Sequence, residues 1–93
     1  MNAITDVQFE EDVNIDDLMF PSSSLIIHND DVNTFDWVIE SLIDVCKHSV
    51  NQAEQCALLI HYKGKYAVKH ASISTLKPMK DAIQERGINC TIE

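Results

Sequence analysis

The chain has 93 residues, enough for one domain with one modest core. Apolar residues make up 45% of it, and two Gly and two Pro are too few for a linker-like or low-complexity region, so a disordered polar chain is excluded. Formal charge is −8, and the seven basic residues (Lys47, Lys63, Lys65, Lys69, Lys77, Lys80, Arg86) form no cluster, which argues against a nucleic-acid backbone as partner and favours a cationic one such as an ammonium group or a basic protein face.

Residues 1 to about 22 read as a flexible acidic extension. Asp6, Glu10, Glu11, Asp12, Asp16 and Asp17 fall there, with no Lys or Arg among residues 1–17. Phe20-Pro21 and Ser22-Ser23-Ser24 mark its junction with a domain spanning 25–93. Leu25 to His28 is a short apolar strand. A helix follows over about 34–47, capped by Asn33 or Thr34, with Asp36 in the first turn where negative charge is favoured. Phe35, Val38, Ile39, Leu42, Val45 and Cys46 recur at helical spacing along its inner face, widened by Trp37 and Ile43.

Ser49-Val50-Asn51-Gln52 is a capping box, which opens a second helix over 50 to about 62. Ala53, Cys56, Ala57 and Ile60 share one side of it, and Gly64 is its stop signal. Lys65 to Ala71 reads as a strand whose alternation is broken by Lys69 and His70. A third helix is expected over 75–86. Pro78 suits its first turn, which argues for a start at Ser74 or Thr75 over Ser72. Leu76, Met79, Ala82 and Ile83 form its apolar face, and Arg86-Gly87 ends it. Ile88 to Ile92 alternates as a final strand. The order β-α-α-β-α-β predicts a small α+β sandwich, with three helices packed on a mainly antiparallel three-stranded sheet.

The start MNAITDVQFEEDV has neither the basic segment nor the apolar run of a signal peptide. The longest apolar runs are far short of a membrane span. Cys46, Cys56 and Cys90 are an odd number with no CxxC spacing and read as reduced core residues. Together these predict a cytoplasmic protein that engages no membrane. His28, His48, His61 and His70 are scattered, so no metal site is expected.

The informative stretch is LIIHNDDVNTFDWV, residues 25–38. An apolar strand stops at Asn29-Asp30-Asp31, and a helix begins at once. An amide oxygen and two carboxylates there are all acceptors. With a neutral His61 at the end of the second helix, they suit an ammonium group, which brings three donors and a charge. Phe35 and Val38 from one helix, with Ala57 and Ile60 from the next, would supply an apolar wall beside that corner. Taken singly, the same residues also fit a turn with Asx caps, a helix-end histidine and ordinary core. No nucleophile motif accompanies the two acids and the histidine.

LIIHNDDVNTFDWVIESLIDV at 25–45, QAEQCALLIHYKGKYAV at 52–68 and GINCTIE at 87–93 resemble, in this order, the ClpS family of adaptor proteins of the Clp protease system. The resemblance implies the same β-α-α-β-α-β fold and a protein that is not an enzyme and needs no cofactor. It implies binding of proteins with a bulky hydrophobic first residue (N-degrons) and their delivery to a Clp-type AAA+ unfoldase with its peptidase. Carried onto this chain, it places Asn29, Asp30 and His61 on the substrate's free α-amino group, with Asp31 supporting the turn. It makes Phe35, Val38, Ala57, Ile60 and Ile88 the pocket, and gives residues 1–24 a part in engaging the unfoldase. The Thr-Pro usual after this motif is Asn33-Thr34 here. Phe35 and Ala57 stand where the family commonly has methionines, so the pocket is expected to differ in shape while still taking an unbranched or aromatic first residue. The segment between His61 and Ile88 is shorter than in familiar members. A non-catalytic interaction domain, like the C-terminal domain of the ribosomal stalk protein, is the competing reading, and it predicts no dependence on a free N-terminus.

Overall fold

A computed structural model describes residues 14–93. The acidic extension expected at the start lies outside the described residues as far as residue 13. The described elements are α1 (Ile15–Met19), β1 (Ser23–His28), α2 (Phe35–Cys46), α3 (Val50–Lys63), β2 (Lys65–Ala71), α4 (Ile73–Glu85) and β3 (Cys90–Ile92). The sheet order is β2-β1-β3, with both pairings antiparallel. The fold is the expected α+β arrangement, with one short helix, α1, ahead of it.

The sheet has two unlike faces. Leu25 and Ile27 of β1 and Cys90 of β3 point into the core beside Leu42, Leu76, Ile83 and Ile88. All of these are at most 2% exposed, and each buried aliphatic side chain contributes about 1.5–3 kcal/mol of transfer free energy. On the other face, Ser24 Oγ and His70 Nδ1 lie 3.0 Å apart, and His28 Nε2 and Thr91 Oγ1 lie 2.9 Å apart. The broken alternation in β2 has a structural cause. Leu25 pairs with Lys69 and Ile26 with Ala67, so Val68 is an extra residue in a bulge and is still buried.

Local signals set most boundaries. Thr34 caps α2 by accepting from the Trp37 N–H at 3.1 Å. Ser49 caps α3 by accepting from the Gln52 N–H at 3.1 Å. Gly64 ends α3 at φ +87°, a left-handed conformation that costs glycine nothing. Three expectations need correction. β1 begins at Ser23, because Ser24 exchanges two backbone hydrogen bonds with Glu93 across the sheet. α4 begins at Ile73 with Ser72 as cap, so Pro78 lies inside the helix. Both Pro78 and Ser74, the residue whose carbonyl loses a donor, are exposed, so the missing hydrogen bond falls on the solvent side of the helix. β3 is shorter than expected, since Ile88 belongs to a turn.

That turn is a Schellman motif. The Gly87 N–H donates to the Gln84 carbonyl at 2.9 Å, and the Ile88 N–H donates to the Ile83 carbonyl at 3.3 Å. Gly87 adopts φ +84°, and the motif brings Ile88 against Ile83 in the core. The three cysteines are free and buried. Burial pushes the thiols of Cys46 and Cys90 up to about 11, which keeps them protonated and inert.

Candidate functional site

The polar corner forms where β1 ends. Backbone hydrogen bonds fix its start: the His28 N–H donates to the Asn89 carbonyl at 3.0 Å, and the Asn29 N–H to the Gly64 carbonyl at 2.8 Å. The corner is thereby tied to the end of α3 on one side and to the approach to β3 on the other. Asp30 closes the turn itself. Its Oδ1 accepts from the Val32 N–H at 2.9 Å and the Asn33 N–H at 2.8 Å, while its Oδ2 accepts from Asn33 Nδ2 at 2.8 Å. The Asn33 backbone N–H above all holds the Asp30 carboxyl below its ordinary value of 3.8. Partial burial opposes this, and the Asn33 amide and Val32 N–H reinforce it. Asp30 is therefore an anion at neutral pH. Its Oδ2, with one partner, keeps lone-pair capacity for another donor.

Beside Asp30 opens a cleft of about 310 Å³, counting its mouth. Asn29, Asp30 and Asn33 form its polar side, and Phe35, Val38, Ala57, Ile60 and Ile88 its apolar side, with Ile27 and His28 completing the lining. The helical spacings predict this meeting. Phe35 and Val38 are three apart on α2, and Ala57 and Ile60 are three apart on α3, so each pair shares one face. Ala57, Ile60 and Ile88 are buried, whereas Phe35 is 44% exposed at the rim. The enclosed part of the cleft has room for little more than one water, so a large side chain would need its walls to open.

Seven of the nine residues singled out in the sequence come together here: Asn29, Asp30, Phe35, Val38, Ala57, Ile60 and Ile88. His61 and Asp31 do not line the cleft. His61 is exposed, and its ring meets the edge of Phe35 with centroids 5.5 Å apart and planes at 84°. Its ring also meets that of Tyr62, with centroids 5.5 Å apart and planes at 70°. Asp31 is exposed and makes no side-chain hydrogen bond among the described residues; the turn is closed by Asp30 and Asn33. Asn33, read in the sequence as a possible cap and as a departure from the family's Thr-Pro, is the polar cleft member that sequence reasoning did not place at the site, and Ile27 and His28 also line it unforeseen. The available signal was an amide three residues after Asp30, the spacing at which an Asx turn closes. Among the described residues no cluster of His, Cys, Asp and Glu could hold a metal ion. None of the described helices is long and apolar enough to cross a membrane.

Comparison with known proteins identifies the fold and the family. The fold matches the solved structure of Agrobacterium tumefaciens ClpS2 bound to L-phenylalaninamide with a TM-score of 0.66. That alignment covers 78% of this chain and 95% of the other at 20% identity. The family described as "ATP-dependent Clp protease adaptor protein ClpS" matches residues 20–91, which include the whole corner and every cleft residue. The chain belongs to the ClpS family of adaptor proteins of the ATP-dependent Clp protease.

Proposed function

We propose that this protein recognises substrates by a free α-amino group followed by a bulky hydrophobic first side chain, and delivers them to a Clp-type AAA+ unfoldase for degradation. The observation that carries this reading is the cleft itself, with Asn29 and the Asp30 carboxylate on one side and Val38, Ala57, Ile60 and Ile88 on the other. A first residue in such a cleft places its ammonium against fixed acceptors and its side chain against buried aliphatic surface. Asn29 and Asp30 hold the amine, Asp31 adds charge beside them, and His61 joins from the rim where it packs on Phe35. The structure of A. tumefaciens ClpS2 with L-phenylalaninamide supports the same ligand chemistry.

The adaptor is not itself an enzyme. It needs no cofactor, because ATP is hydrolysed by its partner, and it works in the cytoplasm. Fluorescence-anisotropy titration with a peptide beginning in Leu, beside its acetylated counterpart, tests the amine. Acetylation removes the charge and two donors, so only the free form binds. Saturable binding of the acetylated peptide refutes the mechanism. A panel with Leu, Phe, Tyr, Trp, Ile and Val at the first position tests the side-chain pocket. Phe35 narrows one wall and Ala57 opens another, so unbranched and aromatic residues bind better; equal binding of Ile and Val contradicts this.

A further inference from the structure

Asn33 joins the two halves of the cleft. Its Nδ2 donates one hydrogen to Asp30 Oδ2 at 2.8 Å and the other to the Gly87 carbonyl at 2.9 Å. Both partners are acceptors only, so the amide can face just one way. Asp30 belongs to the amine seat, and Gly87 directly precedes Ile88, which lines the apolar side. A single side chain therefore spans from the turn after β1 to the turn before β3. A second tie runs alongside: Trp37 Nε1 donates to the Arg86 carbonyl at 2.9 Å, and the Arg86 guanidinium lies 5.3 Å from the Trp37 ring centroid. Consecutive carbonyls of the Arg86–Gly87 turn are thus both held from the start of α2. Trp37 lies outside the cleft and holds the turn to the helix, whereas Asn33 lines the cleft and holds the turn to a carboxylate.

We propose that Asn33 is a positioning residue that couples recognition of the substrate's amine to recognition of its first side chain. The proposal rests on the amine-recognition reading of the cleft. When an ammonium engages Asp30, any adjustment of the carboxylate passes through the Asn33 amide to Gly87 and to the depth at which Ile88 sits. Conversely, a side chain that presses on Ile88 moves the turn that holds the carboxylate. Losing this bridge separates two contributions that otherwise reinforce each other.

The test is a double-mutant cycle on binding of a free-amine peptide beginning in Phe. Asp30→Asn and Ile88→Val are measured singly and together, first with Asn33 intact and then on top of Asn33→Ala. With Asn33 intact, the two effects depart from additivity by about threefold or more, the range for sites that share a network. On Asn33→Ala they become additive, and that substitution alone weakens binding about tenfold, the scale of a lost hydrogen bond to a charged group. A purely structural role lowers affinity without removing the coupling. Coupling that survives Asn33→Ala overturns the proposal, even where free-amine binding itself is intact. A wild type that binds free and acetylated peptides alike overturns both the proposal and the reading beneath it.

Should Asn33→Ala fail to fold, the wild-type side-chain amide serves instead. Its Nδ2 proton resonances are protected from exchange and shift on addition of L-phenylalaninamide. Unprotected, unshifted resonances overturn the proposal equally.

Discussion

The chain contains two corners of similar composition, and only one adjoins the cleft assigned to substrate. Asn14, Asp16 and Asp17 stand at α1, and Asn29, Asp30 and Asp31 stand ahead of α2. At α1 both carboxylates are used by the chain's own donors. Asp17 Oδ1 accepts from the Ser72 N–H at 2.7 Å and from Thr75 Oγ1 at 3.1 Å, and Asp16 Oδ2 accepts from Ser74 Oγ at 2.7 Å. The corner works as a clasp that holds α1 to the start of α4, while Ile15, Leu18, Met19 and Phe20 remain exposed. At Asp30 the turn is closed by one carboxylate, and Asp31 and the Asn29 side chain are left without hydrogen-bond partners among the described residues. Buried Ala57, Ile60 and Ile88 lie alongside. The same residue types thus fasten a segment in one place and, in the function proposed, receive an amine in the other. The difference lies in what stands beside the carboxylates: exposed Phe20 and Ile73 at the α1 corner, buried Ala57, Ile60 and Ile88 at the other.

The sharpest way to break this contrast is to truncate one carboxylate from each corner. Asp30→Ala lowers affinity for a free-amine peptide by at least about tenfold, because it removes an ionic acceptor and the closure of the turn together. Asp17→Ala leaves that affinity unchanged. Equal losses in anisotropy titrations would mean that the corners do not differ in role. A smaller effect comes from filling the wall. Ala57→Leu adds bulk at a 2% exposed position. It is expected to cost about 1–3 kcal/mol of stability in chemical denaturation through overpacking. Peptides beginning in Trp and Phe lose more affinity than one beginning in Leu. Unchanged preference would place the first side chain elsewhere.

Acid separates the corners from the core. Burial, above all, depresses the pKa of His48 from 6.5, and a hydrogen bond to the Val68 carbonyl at 2.9 Å opposes it only in part. The folded chain thus holds His48 neutral. That contribution is complete above 6.5 and is lost as pH falls from there through the lower folded value. The Asp17 and Asp30 carboxyls are depressed from 3.8, Asp17 chiefly by the Ser72 N–H. Their contributions are complete above 3.8 and are lost as pH falls below it through the folded values. Melting temperature therefore declines in two phases. His48→Gln removes the first phase, and Asp30→Asn or Asp17→Asn reduces the second. A single decline confined below pH 4 in the wild type would contradict the role given to His48. The smallest effect is local. Asp17→Ala raises amide exchange in α1 more than in α2 and α3, since α1 buries none of its residues and is held by this clasp.

Much of this was legible in the sequence because it depends on neighbours along the chain. Helical spacing places Val38, Ala57 and Ile60 on inward faces, and the Ser49 cap and the Gly64 stop are local chemistry. What escaped depends on partners far away in sequence. Ser72 rather than Ser74 caps α4, in part because its N–H meets Asp17 across the fold. Asn33 reads as a possible cap until Gly87 is seen beside it. Ile88 reads as strand because alternation cannot reveal a Schellman turn. The roles of the two acids in Asp30-Asp31 depend on which carboxylate folds back onto the turn, and that is settled by geometry rather than by composition.

Mapping where a ligand binds tests the central claim most directly. Amide resonances of the protein would be recorded during titration with L-phenylalaninamide and, separately, with its N-acetylated form. The account predicts saturable shifts at 29–33, 57–60 and 87–88 with the free amine, none at 15–20, and no saturable shift with the acetylated form. Shifts centred on α1 and the start of α4, or the same shifts with both compounds, would contradict it.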